Sequence, residues 1–373
     1  MIKRLFLIVS SLLTITAFFA CDQDHIFYKI SQEVEATDPR IMGGPTAIVE
    51  LGNALYSASK MGKTVHEYAN DSWKRLPAPG GKILELATDT VSLFALIGEP
   101  MEPTRIMKYN GQAWEKVVDG DFETIKGAGD GTTGLIFAST KTTVSAYDGD
   151  GVEKKTMEPG KILMGAASLG GVYYLAVAEK GVFTYDGVDF SHNSETLALE
   201  AITGSTNKNT VGILVVGNEI VTVTRGGEIL WGDSNKFQSA VSVGHYLTGA
   251  MSLWGTDQLL LIGIHQRSST STSTDLGYRE IALKNGALPR DKDDPAKVKI
   301  INWYKPGASR EQDDHSPSTL SNEDKYDSTI GIHVVTDIVQ AKDSKGTLFA
   351  ATARNGLWSY RSRDGSDVWN AEE

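Results

Sequence analysis

The residue best suited to covalent chemistry is Cys21, the only cysteine in the 373-residue chain. It follows Lys3, Arg4 and an apolar stretch of about 16 residues, from Leu5 to Ala20, that contains no charged side chain. A membrane-spanning helix needs roughly 20 apolar residues, and this stretch is shorter. The chain becomes polar directly after Cys21. This layout predicts an export signal and not a permanent transmembrane helix.

The segment Phe18-Phe19-Ala20-Cys21 resembles a lipobox, the signal at which bacterial lipoproteins are cleaved and acylated. An ordinary secretory cut after Ala20 would place the bulky Phe18 where a small residue is usual, which favours lipoprotein processing. The resemblance implies a signal peptide over 1–20, lipid on the Cys21 thiol and a tether over 21–41. Two or three acyl chains anchor a protein firmly. The alternative is an unmodified thiol.

Charge and cysteine usage narrow the possible partners. Once Cys21 carries lipid, no thiol remains for a disulfide, a nucleophile or a thiolate metal site. A formal net charge of -11 argues against binding nucleic acid and against electrostatic adhesion to anionic lipid. We therefore expect the lipid to supply the membrane affinity of a monomer in the bacterial cell envelope, on either the periplasmic side or the cell surface. We expect no cofactor.

Residue patterns for catalysis or metal binding are sparse. The sequence has no His-x-x-x-His pair, no Gly-x-Ser-x-Gly elbow and no phosphate-binding glycine loop followed by Lys. Asp148 and Asp150 offer two carboxylates where calcium takes six to eight oxygen ligands, and a hairpin turn explains them equally well. His245 and His333 open short apolar runs, and we expect them to be hydrogen-bonded histidines at strand ends.

A repeated phrase organises the rest of the chain: a short β run, a Gly, an aromatic residue about four positions later and a polar turn. Three copies show it most clearly: 174–187, 220–231 and 348–360. Asn-Gly and Asp-Gly pairs in the turns suit tight hairpins. Each phrase therefore predicts two strands. A further run precedes each phrase, as in Lys82-Ile-Leu-Glu-Leu-Ala, and is rich in small residues, as expected of the innermost strand of a propeller blade.

These units predict an all-β chain that forms a β-propeller over 42–373, with seven four-stranded blades and eight as the alternative. The expected blades are 42–79, 80–119, 120–160, 161–200, 201–243, 244–304 and 330–373. The segment 305–329 is polar and acidic, so we interpret it as an insertion. The phrases Gly181-Val-Phe-Thr-Tyr185 and Gly356-Leu-Trp-Ser-Tyr360 resemble the blades of bacterial periplasmic sensor propellers. This resemblance implies the fold more strongly than it implies a function.

Two long loops are the candidate partner-binding segments. The run 268–275 should lie between the second and third strands of the sixth blade, and 305–329 should lie between the sixth and seventh blades. In a propeller both kinds of connection emerge on the same face, and long loops on a rigid scaffold often bind partners. Solvated elaborations without a role are the alternative. The candidate residues are Ser268, Asp275, Arg310, Asp313, Asp314 and His315.

The leading hypothesis is a membrane-anchored, non-enzymatic propeller that binds another envelope protein or peptide. Two alternatives stay open: a glycan-acting enzyme that uses carboxylates at the central funnel, and a small-molecule sensor domain.

Overall fold

The computed structural model describes thirteen stretches of the chain, all within one compact unit, Ile41–Glu372. They are 45–59, 62–192, 209–232, 237–242, 245–255, 259–267, 277–290, 303–304, 330, 333–343, 346–353, 356–363 and 366–372. No helix among these residues has the length and apolarity needed to cross a membrane. The predicted signal peptide, Cys21 and the whole of the predicted tether lie outside the described residues, which begin at Pro45.

The described unit consists of β-strands. In chain order the strands are β1 (Pro45–Leu51), β2 (Ala54–Ser59), β3 (Val65–Ala69), β4 (Ser72–Arg75), β5 (Lys82–Thr88), β6 (Leu93–Gly98), β7 (Thr104–Tyr109), β8 (Trp114–Gly120), β9 (Thr124–Gly129), β10 (Gly134–Ser139), β11 (Val144–Tyr147), β12 (Glu153–Met157), β13 (Leu163–Leu169), β14 (Val172–Val177), β15 (Gly181–Tyr185), β16 (Phe190–His192), β17 (Thr210–Val216), β18 (Glu219–Thr224), β19 (Glu228–Gly232), β20 (Phe237–Ser242), β21 (His245–Trp254), β22 (Leu259–Arg267), β23 (Tyr278–Ala282), β24 (Trp303–Tyr304), β25 (Val335–Gln340), β26 (Leu348–Thr352), β27 (Leu357–Arg363) and β28 (Ser366–Ala371).

Seven sheets form, each with four consecutive antiparallel strands in chain order, and they make up blades 1 to 7. The first strands of successive blades contact one another in a closed ring, and β25 contacts β1. The structure therefore confirms the prediction of seven four-stranded blades. The repeated phrases form second and third strands, as in β14 with β15 and β26 with β27.

The up-and-down path of the strands gives the propeller two faces. Turns between first and second strands and between third and fourth strands lie on one face, which we call the hairpin face. Loops between second and third strands, and the connections between blades, lie on the opposite face, which we call the loop face. The ends of β22, β23, β24 and β25 that border 268–276 and 305–332 therefore belong to the loop face.

The core lies between neighbouring blades, because each sheet has two faces and both are covered by other sheets. Phe94 and Leu96 of blade 2, for example, pack with Ile125 and Ile136 of blade 3. Phe349 of blade 7 packs with Leu55 of blade 1 in the same way. Successive residues of β6 point to opposite faces and are buried on both, which is what a continuous apolar run in the sequence requires.

Among the described strands, ring closure involves no exchange between the first and last blades. Blade 1 contains only β1 to β4, and blade 7 contains only β25 to β28, so no strand from one end of the chain completes a sheet at the other end. Contacts across the junction between β1 and β25 must therefore hold the ring closed.

The first strand of six blades carries a bulge in its pairing with the second strand; the exception is β9. A bulge leaves one residue unpaired and turns the residues that follow it. The first paired residue after the bulge is Glu85 in blade 2, Gly165 in blade 4, Gly212 in blade 5 and Asp337 in blade 7. One register position thus carries acids in some blades and glycine in others.

Candidate functional site

The first strands of neighbouring blades approach so closely around the axis that glycine is required at several positions. A Cβ atom added to Gly127 would lie 1.8 Å from the carbonyl oxygen of Thr88. Gly249 has a φ of +87°, and a Cβ atom there would lie 1.9 Å from the carbonyl oxygen of Val211. Real Cβ atoms do not come this close to backbone. The glycines in the small-residue runs therefore let seven strands converge on one narrow axial channel.

A cavity of about 360 Å³ occupies this channel, and each of the seven first strands contributes to its wall. We call it the axial cavity. Its lining residues are Ala47, Val49, Glu50, Leu86, Ala87, Thr88, Lys126, Gly127, Met164, Gly165, Ala166, Gly212, Ile213, Gly249, Met251 and Asp337.

Blades 2 and 3 provide a charged pair beside the axial cavity. Glu85 of β5 accepts hydrogen bonds at Oε2 from the Thr124 hydroxyl and from the backbone N–H of Ile125, the latter at 2.9 Å. Its Oε1 forms an ion pair with the ammonium of Lys126. Burial alone would lower the pKa of Lys126, but the attraction and hydrogen bond of Glu85 outweigh it and raise that pKa. Glu85 thus joins the inner strands of two blades.

Asp337 occupies the equivalent register position in blade 7. Its Oδ2 accepts a hydrogen bond from the backbone N–H of Ile48 in β1 at 2.8 Å, and its Oδ1 accepts one from Ile338 at 2.9 Å. Burial raises the pKa of Asp337 to about 6; the bond from Ile48 and the charge of Lys126 lower it in part, and Glu85 adds to the rise. Asp337 therefore joins the last blade to the first at the cost of a poorly solvated carboxylate.

The opposite wall of the axial cavity is apolar. Met164 of β13, Ile213 of β17 and Met251 of β21 contribute it, together with Gly165 and other small residues. Thioether side chains are flexible and polarisable, and they adapt to ligands of varied shape. The axial cavity thus has a side with charged residues, Glu50, Lys126 and Asp337 of blades 1, 3 and 7, and an apolar side from blades 4 to 6.

The predicted site residues Cys21, Ser268, Asp275, Arg310, Asp313, Asp314 and His315 lie outside the described residues. The described residues that border the two long loops are nevertheless hydrogen-bonded neighbours. The backbone N–H of Gly277, which precedes β23, donates to the carbonyl of His333 at 2.9 Å. Gly277 and Val334 also form a parallel bridge. The two insertions therefore return to the scaffold at adjacent points of the loop face.

The structure also shows the contacts of two further residues considered in the sequence, His333 and Asp148. The His333 ring lies 5.3 Å from the Trp358 ring, and burial lowers the pKa of this histidine. Asp148 accepts hydrogen bonds at Oδ1 from the backbone N–H groups of Asp150 and Val152, as a hairpin-turn residue does. Its other oxygen pairs with Lys154. Within the described part of the chain, no three His, Cys, Asp or Glu side chains come together to hold a metal ion.

Sequence reasoning missed Glu85, Lys126 and Asp337 as a group. A signal was present, because Glu85 and Asp337 each place an acid inside an otherwise small and apolar run predicted to be an inner strand. A charged residue is out of place in such a run unless it faces the axis. Recognising these residues as a group required the tertiary structure, in which three blades bring them together beside one cavity.

Comparison with known proteins supports the fold. No family model matches the sequence, and no curated protein matches it significantly. Among solved structures, the extracellular domain of a hybrid two-component system, BT4673, from B. thetaiotaomicron superimposes with a TM-score of 0.51 at 11% identity, over 85% of this chain and 38% of that chain. The present chain therefore spans well under half of that domain.

Two further solved structures match this chain over most of their own length as well as most of its length. The WD40 β-propeller domain of Doa1 gives a TM-score of 0.52 at 11% identity, covering 86% of this chain and 94% of that chain. Sqt1 of Saccharomyces cerevisiae gives 0.52 at 10% identity, covering 88% and 85%. The class of protein is thus a seven-bladed β-propeller, and identities this low extend no further than the fold.

Proposed function

We propose that this protein is a non-enzymatic, lipid-anchored β-propeller of the bacterial cell envelope that binds another envelope protein or peptide on its loop face. The observation that carries the proposal is the 2.9 Å hydrogen bond between Gly277 and His333. It joins the scaffold ends of the two candidate loops, 268–275 and 305–329, so both loops return to one patch of the rigid ring. Two loops that share a rigid base can present one combined surface to a partner.

The anchor is the second part of the proposal. Lipid on Cys21 would attach the chain to a membrane, and residues 22–41 would act as a short tether for the propeller. The export layout of the sequence supports an extracytoplasmic location, as does the similarity to a propeller that is itself an extracellular domain. The acidic excess of 305–329 favours a neutral or basic partner surface.

The experiment is affinity capture from envelope extracts with the intact protein, with a variant lacking 268–275 and 305–329, and with Cys21→Ser. We expect the deletion to lose the partner while remaining in the membrane fraction. We expect Cys21→Ser to keep the partner but to leave the membrane fraction and to lose metabolic labelling by palmitate. Gln112→Ala changes an exposed residue on the hairpin face and is the matched control. Capture of the same proteins by the deletion variant would contradict the loop-face proposal.

A further inference from the structure

The axial cavity holds an imbalance of charge. Glu50, Lys126 and Asp337 are its charged lining residues, and the opposite wall is apolar. Lys126 is paired with Glu85 and Glu50 is paired with Lys342, so the charge of Asp337 is the one left unbalanced among the described lining residues. We propose that the axial cavity binds a small organic cation, an amine whose charged nitrogen contacts Asp337 and whose apolar part packs against Met164 and Met251. This ligand site is separate from the loop face and does not depend on it.

The hydrogen bonds of the charged groups show where a ligand nitrogen would be accepted. Glu85 already accepts three hydrogen bonds, from Thr124, Ile125 and the ammonium of Lys126, and it is not among the residues that line the cavity. Asp337 accepts from two backbone N–H groups, whereas an ionised carboxylate has about four lone-pair sites. Asp337 therefore has remaining capacity to accept hydrogen bonds and also borders the cavity. An ammonium group would supply both the missing donors and the missing positive charge.

The electrostatics disfavour an anionic ligand. Among the described residues of the wall, Lys126 is the one cation, and it is already paired with Glu85. An anion would have to compete with that carboxylate and would also face Asp337 and Glu50. The whole chain also carries a net charge of -11, which attracts cations to its surface. Burial in the narrow channel strengthens each of these interactions relative to bulk water.

Size and shape fit a compact amine. A volume of about 360 Å³ lies at the lower end of the range for small-molecule pockets, roughly 300 to 1,000 Å³. The apolar wall from blades 4 to 6 supplies the surface for a hydrocarbon group. The two methionines among these residues adapt to its shape.

The test is calorimetric titration of the full propeller with three matched probes: 2-phenylethylamine, the neutral 2-phenylethanol and the anionic 3-phenylpropionate. We expect saturable 1:1 binding of the amine, at least about tenfold tighter than the alcohol, because a charge-assisted hydrogen bond is lost with the alcohol. We expect no binding of the carboxylate. The affinity for the amine should rise between pH 5 and pH 7 as Asp337 ionises.

Two variants and one control connect binding to this cavity. Asp337→Asn removes the charge and should weaken amine binding about tenfold. Ala166→Leu fills the cavity from its apolar side without changing any charge and should also weaken binding, so the proposal does not depend on how well the Asp337 variant folds. Asp150→Asn, an exposed acid on the hairpin face, should bind as the wild type does. Circular dichroism checks that each variant is folded.

Three outcomes would overturn the inference: tighter binding of the carboxylate than of the amine, equal binding of amine and alcohol, or unchanged binding of the amine by both folded variants. The protein lacking 268–275 and 305–329 keeps the axial cavity. Its titration therefore distinguishes failure of this inference from failure of the loop-face proposal.

Discussion

The junction between blades 5 and 6 differs from the junction between blades 7 and 1 in what holds it together. Between blades 5 and 6, inner strands meet backbone to backbone. A Cβ atom on Gly212 would lie 2.4 Å from the carbonyl oxygen of Gly249. A large apolar cluster that includes Leu260 and Ile262 fills the space behind them. Packing holds most of this junction, and one cation adds to it: Arg290 of blade 6 forms an ion pair with Glu219 of blade 5 and lies over the Trp231 ring.

Polar and aromatic side chains reinforce the junction between blades 7 and 1. The Tyr68 hydroxyl donates to Asp343 Oδ2 at 3.0 Å, and Trp73 Nε1 donates to Glu372 Oε2 at 3.0 Å. The Phe349 ring lies 4.7 Å from that of Tyr68 and 5.4 Å from that of Trp73, both in edge-to-face geometry. These contacts have defined directions, and each joins the first blade to the last.

Three further contacts cross the junction between blades 7 and 1. Asp337 accepts the backbone N–H of Ile48, and Lys342 forms an ion pair with Glu50 and a hydrogen bond with the carbonyl of Gly52.

The covalent path of the chain explains why the two junctions differ. Blade 5 leads into blade 6 through residues 243–244, so the covalent chain already holds those sheets side by side. Within the part of the chain that the structure describes, no connection crosses from blade 7 to blade 1, and no strand is exchanged there. Closing a ring over the whole domain has an entropic cost that neighbouring blades do not face. Directional side-chain contacts offset that cost where the covalent link is missing.

The largest effect is expected for Phe349→Ala. The Phe349 side chain is fully buried between blades 7 and 1, and removing a ring at such a site costs about 3–5 kcal/mol of unfolding free energy. Urea unfolding measures the loss. Hydrogen exchange tests the comparison, because the loss of protection should concentrate in β1 to β3 and β25 to β27.

Leu260→Ala is the matched variant at the junction of blades 5 and 6, where Leu260 is equally buried. We expect it to lower stability without opening the ring. The same pattern of exchange in both variants would show that the closing junction is not the weaker one.

Gly249→Ala should have the next largest effect, about 3 kcal/mol, because its Cβ atom collides with the Val211 carbonyl and because its φ of +87° strains any residue with a side chain. Thermal or urea unfolding measures it. Gly131→Ala is the control, since Gly131 has a similar φ of +91° with no atom near the new Cβ. It should cost only about 1 kcal/mol. Equal costs would mean that strain, and not close backbone contact, shapes the junction of blades 5 and 6.

The smallest effect is a pH dependence at the closing junction. Because the pKa of Asp337 in the folded protein is about 6, above the ordinary value of 3.8, its contribution to stability is fully present near pH 4 and is lost as the pH rises through 6. The side chain is only partly buried, so we expect about 1–2 kcal/mol. Asp337→Asn should lack this loss. Unfolding at pH 4.5 and 7.5 tests it, with Asp150→Asn as the control; parallel pH profiles for wild type and Asp337→Asn would contradict it.

The sequence determined the architecture because the repeated phrase is local. A β run, a turn glycine and an aromatic residue within about a dozen positions encode a hairpin, and the spacing of seven such units encodes seven blades. Gly181 and Tyr185 begin and end β15 as the phrase predicts, and the inner run at Lys82 begins β5. Cys21 and the long-loop residues stay predictions from sequence.

The tertiary structure alone decided what lies on the axis. Glu85 and Asp337 are about 250 residues apart in the chain, yet the ring brings both within electrostatic reach of Lys126, beside one cavity. Their common register position after a bulge became visible only through strand pairing. A charged residue inside an apolar run indicates an unusual environment for its side chain. Only the closure of the ring determines which strands form that environment. Local pattern thus fixed the blades, and the long-range geometry of their convergence created the axial cavity.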